Sequence, residues 1–151
     1  MRRILALSLV FGLVFHAPAL AAGTITQSHA RTGHVRKVVF TCTADAADGS
    51  FPATAISIPI EGRLLALVTN PGATAPTDNY DITLVNQHGY DVLQAVGANR
   101  DTATTETAVV VYTGTGTHPA VDEGDTLTLT IANNAVNSAG IVIELYYALG
   151  G

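Results

Sequence analysis

Imidazole side chains can bind a metal ion or move a proton near neutral pH. Of the five histidines in the chain, His29, His34, His88 and His118 lie beyond an N-terminal apolar stretch. None belongs to an HExxH pattern, which would set two zinc ligands on one helical face. His29 and His34 fit either a weak metal site or solvent-exposed side chains, and the second interpretation is favoured because no further ligand spacing accompanies them. We therefore predict no metal site and no cofactor.

Carboxylates are the second group of side chains with chemical potential. They gather near a predicted hairpin and at a later turn: Asp78, Asp81 and Asp91, then Asp122, Glu123 and Asp125. Calcium takes about six to eight oxygen ligands, which such clusters supply in part. The sequence lacks a D-x-D-x-D-G loop, and Asp is also ordinary turn chemistry, so a calcium site stays an open alternative. Glycoside hydrolysis is disfavoured because the chain has no Trp for sugar stacking.

The sequence contains no recognisable motif for a catalytic serine or cysteine nucleophile. The serines Ser28, Ser50, Ser57 and Ser138 all lie outside any G-x-S-x-G elbow. The single cysteine, Cys42, has no histidine beside it and shares a predicted strand face with Val38 and Phe40. It fits a small buried hydrophobe, with an intermolecular disulfide or a reactive thiol as the alternative. We predict no catalytic residues and no enzymatic activity.

The elements that position these residues are strands. β-Branched residues are frequent, helical periodicity is not evident, and turn signals recur at short intervals. This pattern predicts an all-β fold, an antiparallel β-sandwich of about 7–9 strands with a jelly roll as one possible form. The predicted strands are 24–29, 35–43, 55–60, 63–69, 80–86, 90–96, 107–113, 126–132 and 141–148.

Alternation of apolar and polar residues predicts which strand faces are buried. The inward sets are Leu127, Leu129 and Ile131; Ile141, Ile143, Leu145 and Tyr147; and Tyr80, Ile82 and Leu84. By contrast, residues 64–68 are apolar on both faces. They predict a central strand whose second face is covered by a loop or by another subunit.

The first residues are typical of a secretory signal peptide. Arg2 and Arg3 precede an apolar or small run over residues 4–15, and Ala19-Leu20-Ala21 fits a cleavage site. The predicted organisation is a signal peptide at 1–21 and a single β-sandwich domain at 22–151, exported to the periplasm or the extracellular space. Cleavage lowers Lys plus Arg from 7 to 5 against 12 acidic residues, so the charge falls from −5 to −7. That charge disfavours nucleic acid and anionic membranes as partners.

Three segments resemble small proteins encoded among the virion genes of tailed bacteriophages and prophages. They are EGRLLALVTNPGATAPTDNYDITL at 61–84, GANRDT at 97–102 and LTLTIANN at 127–134. The resemblance covers most of residues 24–149, and it implies a capsid-decoration or other accessory virion subunit.

Two functions follow as expectations. The first is a non-catalytic structural subunit that stabilises a capsid, forms a homo-oligomer and docks on a larger protein assembly. The two-faced segment at 64–68 favours it, with the loops at 70–79 and 97–106 free to contact a partner. The alternative is an exported surface or carbohydrate-binding β-sandwich module, which the signal peptide favours.

Overall fold

The computed structural model describes residues 22–122 and 124–150, and these ranges fold into strands joined by turns. The predicted signal peptide at 1–21 lies outside the described residues. The nine strands are β1 (Thr24–Thr32), β2 (Val35–Thr43), β3 (Thr54–Ala55), β4 (Gly62–Pro71), β5 (Asp81–Val85), β6 (Glu106–Val109), β7 (Ala120–Val121), β8 (Thr128–Ala132) and β9 (Gly140–Ala148).

The strands form two antiparallel sheets. The larger has six strands in the order β1-β2-β9-β4-β6, and β7 pairs with β4 alongside β6; the smaller has the order β3-β8-β5. The prediction of an all-β antiparallel sandwich is confirmed. The jelly-roll form is not confirmed, since a jelly roll divides eight strands between two sheets and this division is six and three.

The core lies between the sheets and follows the predicted alternation. Along β9, buried Ile141, Ile143, Leu145 and Tyr147 alternate with half-exposed residues. The predicted inward sets 127/129/131 and 80/82/84 are also buried. Apolar side chains from both sheets therefore pack into one cluster, and the large sheet keeps an outward face of its own.

Strand β4 is central, as predicted, with β9 on one side and β6 and β7 on the other. Strict alternation would put Leu64, Ala66 and Val68 on one face, and this is wrong. A register shift between Leu64 and Ala66 changes the phase, so Leu64, Leu67 and Thr69 are buried instead. A bulge of this kind adds one residue to a strand and cannot be recognised from residue type alone.

The predicted strand at 90–96 is wrong, because residues 92–97 form turns. The Asp91 carboxylate accepts hydrogen bonds from the backbone N–H groups of Leu84, Leu93 and Ala95 at 3.0–3.1 Å. Gln94 and Ala95 adopt positive φ angles of 58° and 62°, which a strand excludes. The two-residue strand β7 at 120–121 was not predicted, since two residues are too few to show alternation.

Candidate interaction surfaces

Three of the acidic residues considered for calcium support turns in the structure, and Glu123 lies outside the described residues. Asp91 caps the turn after β5, as described above, and Asp81 accepts a hydrogen bond from the Asn99 N–H at 2.8 Å. Asp125 accepts one from the Gln87 side chain at 2.8 Å. Each of these carboxylates has a protein donor, as expected for aspartates that form turns.

The histidines are distributed over separate parts of the fold. His29 lies on β1, its Nε2 3.4 Å from Ser57 Oγ, and burial lowers its pKa. His34 and His88 are exposed in turns, and His118 Nδ1 lies 2.7 Å from the Val110 carbonyl oxygen. Within residues 22–122 and 124–150, no three His, Cys, Asp or Glu side chains gather in a way that could hold a metal ion.

Cys42 is buried on β2 beside Phe40, which confirms its interpretation as a small buried hydrophobe. The residue is 1% exposed, and burial raises the pKa of its thiol to about 12. A thiol with that pKa is protonated at neutral pH and is a poor nucleophile.

The outward side of the six-stranded sheet, here called the open face, carries partly exposed valines among threonines and other polar side chains. Strand register places alternate residues of β2, β9, β4 and β6 on this side. Its valines keep part of their surface in solvent: Val39, Val68 and Val142 are half-exposed, Val35 is 41% exposed and Val109 is 59% exposed. An antiparallel sheet normally places polar side chains on its solvent face, so an apolar one is suited to contact with another molecule.

A polar cluster lies in the middle of the open face. Lys37 Nζ is 2.9 Å from Glu144 Oε1, and the Tyr146 hydroxyl donates to Glu144 Oε2 at 2.6 Å. The Lys37 ammonium also lies 5.6 Å from the centre of the Tyr146 ring. Hydrogen bonds from Tyr146 and then Lys37 lower the pKa of Glu144. The carboxylate therefore stays ionised and paired, and the open face carries little free charge at its centre.

The loops after β4 and before β6 meet at one end of the sandwich. The Thr102 hydroxyl donates to the Pro76 carbonyl at 2.6 Å, and the Thr105 hydroxyl to Asn70 Oδ1 at 2.9 Å. Arg100 anchors the second loop from below, because it is buried and lies 3.0 Å from Glu106. The loops predicted to contact a partner thus form one ordered surface, termed the loop tip (residues 72–79 and 97–105).

The β1–β2 hairpin carries a charge opposite to that of the whole chain. Residues 22–44 contain Arg31, Arg36 and Lys37 and none of the 12 acidic residues. Shallow depressions of about 420 and 250 Å³ flank the hairpin, the first lined by Val35 and Tyr146 among others and the second by His29 and Ile58. The hairpin is therefore a basic patch on an acidic protein, which is suited to contact with an acidic surface.

Comparisons with protein-family models, with curated proteins and with solved structures find no match to this chain. In the part of the chain that the structure describes, no helix has the length and apolar character needed to cross a membrane. The candidate surfaces therefore rest on the geometry of the chain itself.

Proposed function

We propose that this chain is a non-catalytic structural subunit, of the capsid-decoration or accessory type found among the virions of tailed bacteriophages. It works by self-association and by docking on a larger protein assembly such as a capsid. The open face is the observation that carries the proposal. Its valines lie partly in solvent around a charge-neutralised centre, which is a surface suited to burial against protein.

The loop tip adds a second surface at one end of the strands. The Thr102 hydroxyl bonds to the Pro76 carbonyl and joins its two loops, and the Thr105 hydroxyl bonds to Asn70 on β4. Buried Arg100 pairs with Glu106 at the start of β6. An ordered tip binds a partner with a smaller loss of conformational entropy than a flexible one. One subunit thus offers an apolar sheet face and an ordered tip as surfaces for contact with other protein molecules.

We also propose that the chain is exported to the periplasm or the extracellular space, a location that favours the alternative function. The order of Arg2-Arg3, an apolar run and Ala19-Leu20-Ala21 predicts cleavage between Ala21 and Ala22. The alternative function, an exported surface or carbohydrate-binding module, draws on this leader and on Tyr146, whose ring lines a depression beside Lys37 and Arg31. Sugar rings stack on such aromatic faces, and a glycan array would detect that binding.

Light scattering across a dilution series tests the structural proposal. The protein is expressed from the full 151-residue reading frame and purified as the cell delivers it. We expect a mass that is a multiple of the single chain at high concentration and that falls on dilution. A monomer throughout the series contradicts self-association and favours the binding-module alternative. Genes for capsid and portal proteins on either side of the coding sequence would support the virion setting.

A further inference from the structure

The sheet edges of this fold differ sharply in how well they are protected. The outer edge of β5 is covered by the segment that follows it, since Ile82 N–H bonds to the Gly97 carbonyl at 2.8 Å and Val92 N–H to the Leu84 carbonyl at 2.9 Å. Strands β3 and β6 are short, with two and four residues. By contrast, β1 has nine residues in unbroken register with β2. Within residues 22–122 and 124–150, its backbone hydrogen bonds go to β2 alone.

The direction of each β1 backbone group follows from the alternation of hydrogen bonding along a strand. The His34 carbonyl accepts from Leu149 N–H at 3.1 Å, on the β9 side of the chain. The backbone N–H and C=O groups of Arg36 and of every second residue after it therefore point toward β9. Those of Val35 and of every second residue after it point toward β1. Through the β1–β2 register, the N–H and C=O groups that point away from β2 belong to Ile25, Gln27, His29 and Arg31.

The open edge is held in an extended form by side chains on its inner face. Gln27 Nε2 donates to the Ala55 carbonyl at 2.7 Å, and its Oε1 accepts from Ser57 N–H at 2.9 Å. The His29 ring adds a contact to Ser57 Oγ. The strand has no proline, lysine or acidic residue, and its one arginine, Arg31, lies next to its end. Most of the devices that prevent edge pairing are therefore missing. It is therefore a preformed template for another strand.

We propose that the strand added at this edge is β1 of a second copy, antiparallel, with the two-fold axis at Ser28. This inference deepens the proposed self-association and rests on it. Antiparallel pairing about Ser28 sets Ile25 opposite Arg31 and Gln27 opposite His29. Each residue whose backbone N–H and C=O groups point away from β2 then lies opposite another such residue of the second copy. Each of these pairs therefore exchanges both backbone hydrogen bonds. The two large sheets become one continuous sheet with their open faces on the same side.

The side chains at this junction are self-complementary. On the open-face side, Thr24 meets Thr32, Thr26 meets Ala30, and Ser28 meets Ser28, which are small and uncharged pairs. Arg31 lies opposite the apolar Ile25, and the two Arg31 side chains are six residues, or about 20 Å, apart along the strand. That separation exceeds the screening length of about 8 Å at physiological salt. Exposed Ile58 borders the same edge beside His29 and Ala30 and adds apolar surface.

A charge swap at Ser28 tests the position of the two-fold axis. Ser28 is exposed, so Ser28→Lys and Ser28→Glu leave the core untouched. In the proposed dimer each variant sets two like charges directly opposite each other, which is destabilising. We expect light scattering to show that each variant alone has half the mass of the parent protein. An equal mixture of the two variants should regain the parent mass, because Lys then faces Glu.

Thr113→Lys is the matched control, since Thr113 is an exposed residue in the turn after β6 and lies outside the strands that form the open face. It should keep the parent mass. If Ser28→Lys and Ser28→Glu both keep the parent mass, the edge pairing is wrong, while self-association through another surface survives. If each is monomeric but the mixture is not restored, the axis does not pass through Ser28. A monomeric parent protein overturns both the pairing and the proposed self-association.

Discussion

At the scale of single residues, several aspartate side chains accept hydrogen bonds from backbone N–H groups in turns. The carboxylates of Asp45 and Asp48 accept N–H groups two residues ahead, at 2.6 and 2.8 Å. Asp91 accepts three such groups across two segments of the chain. A side chain that satisfies the backbone in a turn removes an unpaired polar group and fixes the direction of the chain.

Cys42 gives the first prediction at this scale. Because burial raises the pKa of its thiol to about 12, almost no thiolate is present at pH 8, and the side chain is closed to solvent. We expect a thiol-reactive aromatic disulfide to leave the native protein unlabelled at pH 8. Labelling should be fast and stoichiometric in denaturant. Rapid labelling of the native protein would show that β2 opens locally or that the thiol is accessible.

At the scale of elements, alternation along single strands predicts the core well. Strand β8 lies at the centre of the small sheet, where Leu129 pairs with Thr54 on one side and Leu84 on the other. Leu129 is 2% exposed, whereas Thr128 is half-exposed on the other face. Neighbouring residues of one strand thus occupy opposite environments.

We predict that Leu129→Asp abolishes cooperative folding. Burying an unpaired carboxylate costs several kcal/mol, against a total stability of about 5–15 kcal/mol for a domain. Thr128→Asp should lower stability by a smaller amount, because its side chain reaches solvent. Urea unfolding followed by far-UV circular dichroism measures both variants. Equal losses would mean that both faces of β8 are buried.

The errors of sequence reasoning also belong to the scale of elements, and they have physical causes. Residues 90–96 contain alternating apolar side chains, yet they form turns. The Asp91 carboxylate accepts three backbone hydrogen bonds, and Gln94 and Ala95 have positive φ angles. The bulge in β4 shifts the buried set from Ala66 to Leu67. The turn depends on hydrogen bonds from nearby backbone N–H groups to one carboxylate, and the bulge depends on pairing with the distant strand β9. The alternation of apolar and polar residues contains neither.

At the scale of the molecule, strand order decides which surfaces are available. The sequence predicts β1 as a strand, but its residue pattern does not show that it lies at the edge of the sheet. Its position depends on the pairing of β2 with β9, which lies 97 to 113 residues further along the chain. The side chain of Gln27 also ties it to Ser57. The separation of charge is visible in the sequence, because residues 22–44 have no acidic side chain. In the folded chain these residues form the hairpin at the β1 edge of the large sheet.

A disulfide provides a second measurement of the proposed assembly. In antiparallel pairing about Ser28, the two Ser28 residues form a non-hydrogen-bonded pair with Cα atoms about 4.5 Å apart. That distance lies within the range of about 4.4–6.8 Å that a disulfide spans. We therefore predict that Ser28→Cys yields a covalent dimer under mild oxidation, visible on a non-reducing gel. Cys42 should not compete, since its thiol is buried and protonated.

Thr26→Cys, on the same strand and face, is the matched control. Its two copies are four residues, or about 14 Å, apart along the strand, so the thiols cannot meet. Equal crosslinking of both variants would reflect random collision and would contradict the proposed register.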